Sequence, residues 1–377
     1  MITVKKKKNP LTQPIGRSRG VVGLDVEAGS VAATEVNVNG GVSVPRFGVG
    51  PLASGAVRDG EVHEPAALGE AMKELFASQK FPRDVRIGIA NQRVAVRTIR
   101  LPKIEDRAEL ETAIRFAAQD HIPMPLDRAV LDWQVIPTAP GDESQGIEVV
   151  AVAARREMLA SLTEAVDRAG LRLVGIDHSA FALIRALRAT GAAPLNPADP
   201  IADEATAETP APAVNGRLYC HLGDITNLAV ARESYCVFSR VLGFGIEGIA
   251  QSLAAKTGLN LDHARQWLLH VGLEAPVEEV EGDPQTVSMT RDALASGSAT
   301  LVDELRRSLE YYAALEHAVQ VDEVVVAGPG TMIPGLVSRL ERELPVPLRA
   351  AVPEALSNAA GTAAGRLTLS YGLGLEE

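Results

Sequence analysis

Apolar residues in this chain follow two rhythms, one alternating and one helical, and glycine-rich turns separate them. Val21 to Val26 and Val31 to Val38 read as two strands leading into a turn at Asn39-Gly40-Gly41. Leu68, Met72 and Leu75 with Phe76 recur at helical spacing, which predicts a helix over Ala66 to Gln79. Arg86 to Ala90 and Val94 to Ile99 read as a second hairpin around Asn91-Gln92. Asp106 and Glu109 form a capping box ahead of Leu110, Ala113, Ile114 and Ala117. That helix ends at Ile122-Pro123-Met124-Pro125, because proline disfavours helical geometry in the residue before it.

Strands at Ala129 to Ile136 and Ile147 to Ala153 come next, then a helix carrying Met158, Leu159, Leu162, Ala165 and Val166. Gly170 stands where a helix-ending glycine would, and Leu171 to Asp177 returns as a strand. Residues from about 85 to 170 therefore predict a compact ββαββα unit inserted in a first domain spanning 21–191. Ala, Pro and acidic residues without apolar period mark 192–216 as a linker or surface loop. A second domain over 217–354 opens with strands at Arg217 to Cys220, Leu228 to Arg232 and Tyr235 to Phe238. Helices at Ile246 to Thr257 and Asp262 to His270 follow, and Leu301, Leu305, Leu309 and Tyr312 mark a further helix of about five turns. The segment 355–377, apolar from Leu367 to Leu375, is expected to return to the first domain.

Three of the turns follow strand-like runs in a fixed order. They are Gly23-Leu24-Asp25-Val26-Glu27-Ala28-Gly29-Ser30, then His221-Leu222-Gly223-Asp224-Ile225-Thr226, then Ala327-Gly328-Pro329-Gly330-Thr331. Each exposes backbone N–H groups at a strand end, which suits phosphate or sugar binding. The fold class is therefore α/β, in two domains of mixed sheets with the inserted unit.

Composition narrows the partners. The 377 residues carry a formal net charge of −11, which argues against a general nucleic-acid surface. Cys220 and Cys236 both lie in apolar runs and read as buried thiols of a reducing compartment, a disulfide being the minor alternative. No run reaches the roughly 18 apolar residues of a membrane span. The basic N-terminus around Lys5 to Lys8 precedes no apolar segment, so 1–20 reads as a solvated disordered tail rather than a signal peptide. A cytoplasmic protein is expected, without direct membrane insertion.

In this order the three turns resemble the actin-like ATPase superfamily. Leu101-Pro102, the helix ending Ile122-Pro123, Asp132-Trp133-Gln134-Val135, Val174-Gly175-Ile176-Asp177, Phe238-Ser239-Arg240 with Gly243-Phe244-Gly245-Ile246, and the closing-helix start at Tyr371 to Leu375 narrow it. Together they resemble the PilM family of type IV pilus assembly proteins, itself similar to the cell-division protein FtsA. FtsA fits less well, since it carries a C-terminal amphipathic helix and this sequence stops at Glu377 without one.

The resemblance implies an ATP site. Asp25 would contact Mg²⁺ through water, and Ala28, Gly29 and Ser30 would face the phosphates. Gly223, Asp224, Thr226, Gly243, Gly245, Gly328, Pro329, Gly330 and Thr331 would complete the cleft. Several positions depart from the pattern. Glu27 stands where a glycine is expected, Ala32 where a lysine is, His221 where the aspartate ordering the attacking water is, and Pro329 where glycine is usual. His221 is a candidate base, or a space-filling residue. Weak or absent ATP binding, with little or no hydrolysis, is the expectation. The resemblance also implies a partner: the N-terminal tail of the membrane protein PilN, lying in a groove between the first domain and the inserted unit, bordered by Ile122, Pro123 and Trp133. For Ile122 and Trp133 an internal core role is the equal alternative. Other inner-membrane and motor components, and a homo-oligomer, are further expected partners. An ATP-dependent small-molecule kinase of the same fold is the competing reading, which Glu27 and His221 oppose.

Overall fold

The computed structural model describes residues 20–38, 41–136, 146–188, 192–194, 216–316, 318–357, 359 and 363–375. The basic tail and 195–215 of the expected linker lie outside them. In chain order the elements are β1 (Val21–Glu27), β2 (Ser30–Asn37), β3 (Ser43–Pro51), a ribbon of β4 (Val57–Arg58) and β5 (Glu61–Val62), α1 (Pro65–Gln79), β6 (Asp84–Ile89), β7 (Ala95–Leu101), α2 (Arg107–His121), β8 (Ala129–Ile136), β9 (Ile147–Arg155), α3 (Arg156–Arg168), β10 (Arg172–His178) and α4 (Ser179–Arg188). After these come β11 (Ala192–Pro194), β12 (Gly216–Leu222), β13 (Thr226–Arg232), β14 (Tyr235–Leu242), α5 (Ile246–Thr257), α6 (Leu261–Val271), α7 (Pro284–Ala313), β15 (Val321–Ala327), α8 (Leu336–Glu343), β16 (Leu348–Pro353) and α9 (Ala363–Gly374).

Two mixed sheets, ordered β10-β6-β1-β2-β3 and β11-β16-β15-β12-β13-β14, carry the two domains. Helices α1 and α3 cover the outer face of the first sheet through Leu68, Met72, Leu162 and Val166. Helices α5 to α8 cover the outer face of the second through Leu253, Leu268, Leu301 and Leu340. Between the sheets lie α4 and α9, whose Leu183, Leu187, Leu367 and Tyr371 share one core with Ala32 and Val36 of the first sheet and Tyr219 and Val325 of the second. The turns at the strand ends thus face one another across a cleft roofed by α9.

Several expectations are corrected. Strands β6 and β7 form no hairpin: β6 runs parallel to β1 and β10, whereas β7 pairs with β9. The turn at Asn91, whose side chain accepts the Arg93 N–H at 2.8 Å, hands the chain from one sheet to another. The order ββαββα is present, but the separate sheet is β7-β9-β8 alone, with α2 on one face, while α3 packs on the outer face of the first sheet. Its other face meets β14 through Val96, Val150 and Val237, and buried Glu148 bonds both Arg100 of β7 and Arg232 of β13. Residues Ala192–Pro194, expected in the linker, pair with β16. Helix α7 begins far earlier than Leu301, at Pro284 behind an Asp283 cap. Its first half buries Val287 and Leu294 along with Thr290, Ala293, Gly297 and Ser298, so small and polar residues interrupt its apolar stripe. Tyr371 to Gly374 end α9 rather than start it.

Helix α9 can lie against β1 because Gly23 presents no side chain where they touch, and Gly372 does the same for α9 against α4. A Cβ on Gly23 would fall on the Ser370 carbonyl, and one on Gly372 would fall on the Ala182 carbonyl of α4. Thr34, the cross-strand partner of Gly23, bonds Ser370 hydroxyl to hydroxyl at 2.7 Å. Four residues along a helix advance about 6 Å, and two along a strand about 6.6 Å. With Ser370 fixed over Gly23, residue 366 is therefore delivered over Asp25.

Candidate functional site

That residue is an arginine, and it fills the mouth of the first turn. Arg366 is 5% exposed. Its Nη1 donates to the Asp25 carboxylate, its Nε to Ser30 Oγ at 2.8 Å, and its Nη2 to the backbone oxygens of Asp25 at 3.2 Å and Ser30 at 3.0 Å. Glu27 Oε2 lies 3.1 Å from the same Nε. Burial works against the guanidinium charge, but Glu27, Asp25 and Asp224 outweigh it and hold the pKa above the usual value.

The second turn closes on the first. The Ala28 N–H donates to Asp224 Oδ2 at 2.7 Å, and the Ile225 N–H to Oδ1 at 2.7 Å. A Cβ on Gly223 would strike Glu27, and one on Gly29 would lie 2.5 Å from the Arg265 guanidinium of α6, itself tied to Glu247. Thr226 donates to the Phe244 carbonyl at 2.9 Å, and Gly245, the cap of α5, abuts the Gly223 and Asp224 carbonyls, fixing that turn from behind. Gly243 faces the Gln92 side chain. In the third turn, Gly328 has φ 99°, open to glycine, and a Cβ there would meet the His221 ring. Thr331 Oγ1 bonds back to the Gly328 carbonyl at 2.7 Å, and the start of α9 packs on this turn at Gly365.

The structure therefore brings together Asp25, Ala28, Gly29 and Ser30, Gly223, Asp224 and Thr226 with Gly245, and Gly328 to Thr331 with His221. Ile122, Pro123 and Trp133 lie apart, on the three-stranded unit. Ile122 is 4% exposed in that unit's core, Trp133 is half-buried beside Leu110 and Ile114, and Pro123 is exposed. Arg366 was missed by sequence reasoning. Its one signal is a charge opening the apolar run Leu367 to Leu375, matched by an unexpected carboxylate at Glu27.

Burial dominates the electrostatics. It pushes Glu27 up to about 8, with Asp224 and Asp25 adding to the effect and Arg366 opposing it. Asp224 is raised by burial to about 6 against the pull of the Ala28 and Ile225 N–H groups. His221 is driven by burial down to about 4, and neither ring nitrogen has a partner among the described residues. Glu27 Oε1 and Asn227 Oδ1 are likewise buried and unpartnered.

These shifts set a pH dependence. A carboxyl that keeps its proton longer when folded stabilises the fold at low pH and loses that contribution as pH rises to its folded value. Glu27 does so from 4.5 to about 8 and Asp224 from 3.8 to about 6. His221 acts the other way, costing stability as pH falls from 6.5 to about 4. Between pH 6.5 and about 8, Glu27 is the member of this cluster still titrating. Urea unfolding should show stability falling across that window by at most ~1.4 kcal/mol per pH unit, and Glu27→Gln should flatten it. An unchanged slope in that variant would refute the assignment.

Mg²⁺ and ATP do not fit this arrangement. The phosphate-facing N–H of Ala28 is already given to Asp224, and two of the carboxylates that would meet a metal are bound to Arg366. The cavity beside Asp25, Glu27 and Asp224 measures about 40 Å³, against the roughly 300–1,000 Å³ of small-molecule sites. Among the described residues no group of His, Cys, Asp and Glu is arranged to hold a metal ion.

Two sheet-based domains sharing a pair of central helices, with phosphate-type turns facing across a cleft, define an actin-like α/β protein. Comparison with known proteins agrees. The family model for the type IV pilus assembly protein PilM matches residues 23–364. A chain of the PilM-PilN type IV pilus biogenesis complex is similar at a TM-score of 0.76 and 26% identity, covering 94% of this chain and 98% of that one. The ethanolamine utilization protein EutJ from Carboxydothermus hydrogenoformans shares the fold at 0.50 and 14%, covering 97% and 91%. MreB5 of Spiroplasma citri bound to AMPPNP does so at 0.50 and 12%, covering 95% of each. The chain belongs to the PilM family of type IV pilus assembly proteins.

Proposed function

We propose that this protein is a scaffold at the inner face of the cell membrane, recruited by the N-terminal tail of a PilN-like membrane protein, with weak or absent ATP binding and no hydrolysis. The observation that carries the partner is the 0.76 similarity, at near-complete coverage, to a chain of the PilM-PilN complex. No helix among the described residues is long and apolar enough to cross a membrane, which suits recruitment through a partner.

The inserted unit is suited to the tail. Strand β8 is an edge of its sheet and carries half-buried Trp133 with exposed Val130 and Val135. An extended peptide adds readily to such an edge, with side-chain pockets giving selectivity. Pro123 borders the unit from the end of α2. Ile122 supports this surface from inside the unit's core rather than touching the peptide. Other inner-membrane and motor components would assemble through PilN or on the remaining faces, and self-association belongs to the same reading.

The test is fluorescence titration of a labelled peptide from the partner's N-terminus. Trp133→Ala should weaken binding by about tenfold or more, the equivalent of ~1.4 kcal/mol. Unchanged affinity in that variant would move the site elsewhere, and no binding by the native chain would remove the partner.

A further inference from the structure

We infer that Arg366 is a tethered cation that holds the cleft closed, standing where the resemblance places Mg²⁺ and phosphate. The inference rests on the reading of this cleft as a former nucleotide site. All three guanidinium nitrogens are spent on the first turn, on Asp25, Glu27 and Ser30. Arginine suits this task, since its planar fork presents several donors in a fixed geometry.

The first turn is gripped from the second domain as well. Asp224 accepts the Ala28 N–H, and Arg265, held by Glu247 and Asp262, sits against Gly29. The charged and titratable groups around the lock are Asp25 and Glu27 of β1, His221 of β12, Asp224 of the following turn, and Arg366 of α9. One buried cation thus serves several carboxylates. Removing it would leave the buried Asp25 carboxylate without its partner, and breaking a buried ion pair in this way is strongly destabilising. The closed state is therefore written into the chain and requires no ligand. The unexpected carboxylate at Glu27 and the unexpected arginine in the apolar last helix are two halves of one device.

The experiment is thermal unfolding of the full chain with MnCl₂ alone, and amide exchange at Ala28 on the same samples. The wild-type transition should not move with Mn²⁺, and the Ala28 amide should exchange slowly without ligand. Arg366→Ala should lower the transition by several degrees and speed Ala28 exchange by about tenfold or more, since opening the turn frees that N–H. Millimolar Mn²⁺ should restore part of the loss by binding the freed carboxylates, a response that adding Glu27→Gln should remove. Should Arg366→Ala fail to fold, Arg366→Lys keeps the charge without the fork, and should show a smaller loss and faster Ala28 exchange. A wild-type transition raised by Mn²⁺, or an Arg366 variant with native stability and native Ala28 exchange, overturns the inference. The assay contains neither partner nor nucleotide, so its failure leaves the partner reading standing.

Discussion

Supplied with millimolar Mg²⁺ and ATP, the purified protein is expected to release phosphate no faster than buffer. A triphosphate entering the first turn would meet the protonated Glu27 side chain filling the turn and the Asp224 carboxylate behind it, whose repulsion in so enclosed a site is stronger than in water. The N–H it needs at Ala28 and the cation it needs at Arg366 are both engaged. His221, held near 4, is too weak a base at neutral pH to activate water efficiently. Titration calorimetry should accordingly give weak or no heat of binding. Glu27→Gly should strengthen ATP binding by about tenfold or more, because it clears the side chain that fills the turn and releases Arg366 Nε toward phosphate. Adding His221→Asp should then permit slow hydrolysis. Brisk turnover by the wild type, abolished by Asp25→Ala, would overturn the scaffold reading.

The second large effect is structural. Gly23→Val should destabilise the protein by more than the ~1–3 kcal/mol usual for overpacking, because its Cβ meets the Ser370 carbonyl rather than a movable side chain. The consequence reaches the site, since displacing α9 withdraws Arg366 from Asp25. Urea midpoints measure it, with Gly50→Ala as the control: a Cβ there meets Leu75 at 3.4 Å, an ordinary contact. Equal midpoints for the two variants would remove α9 docking from the account.

The strands and most helices were legible because their apolar periods are clean. Helix α5 falls where Ile246 to Thr257 predicted it, and Asp106 caps α2 with bonds to the Ala108 and Glu109 N–H groups. Sheet membership was not legible at β6 and β7, since nothing in Arg86 to Ile99 distinguishes a hairpin from a crossing between sheets. The long α7 shows only Val287 and Leu294 as large apolar residues buried in its first half, and the Ala, Gly, Ser and Thr buried with them carry little hydrophobic signal. At the site, the departures at Glu27 and His221 were visible in the sequence, and their meaning was not. Glu27 finds its counter-charge 339 positions away in Arg366, and only the docking of α9 over β1 discloses the pairing.

The central claim is that this chain binds its membrane partner as a closed, nucleotide-independent scaffold. Calorimetric titration of a PilN-like N-terminal peptide into the full-length protein, with and without Mg²⁺ and ATP, tests it most directly. The account predicts saturable binding with the same affinity in both conditions. Binding that appears only with ATP, or that ATP changes by about tenfold, would contradict it, because such coupling requires a cleft that nucleotide can enter and shift.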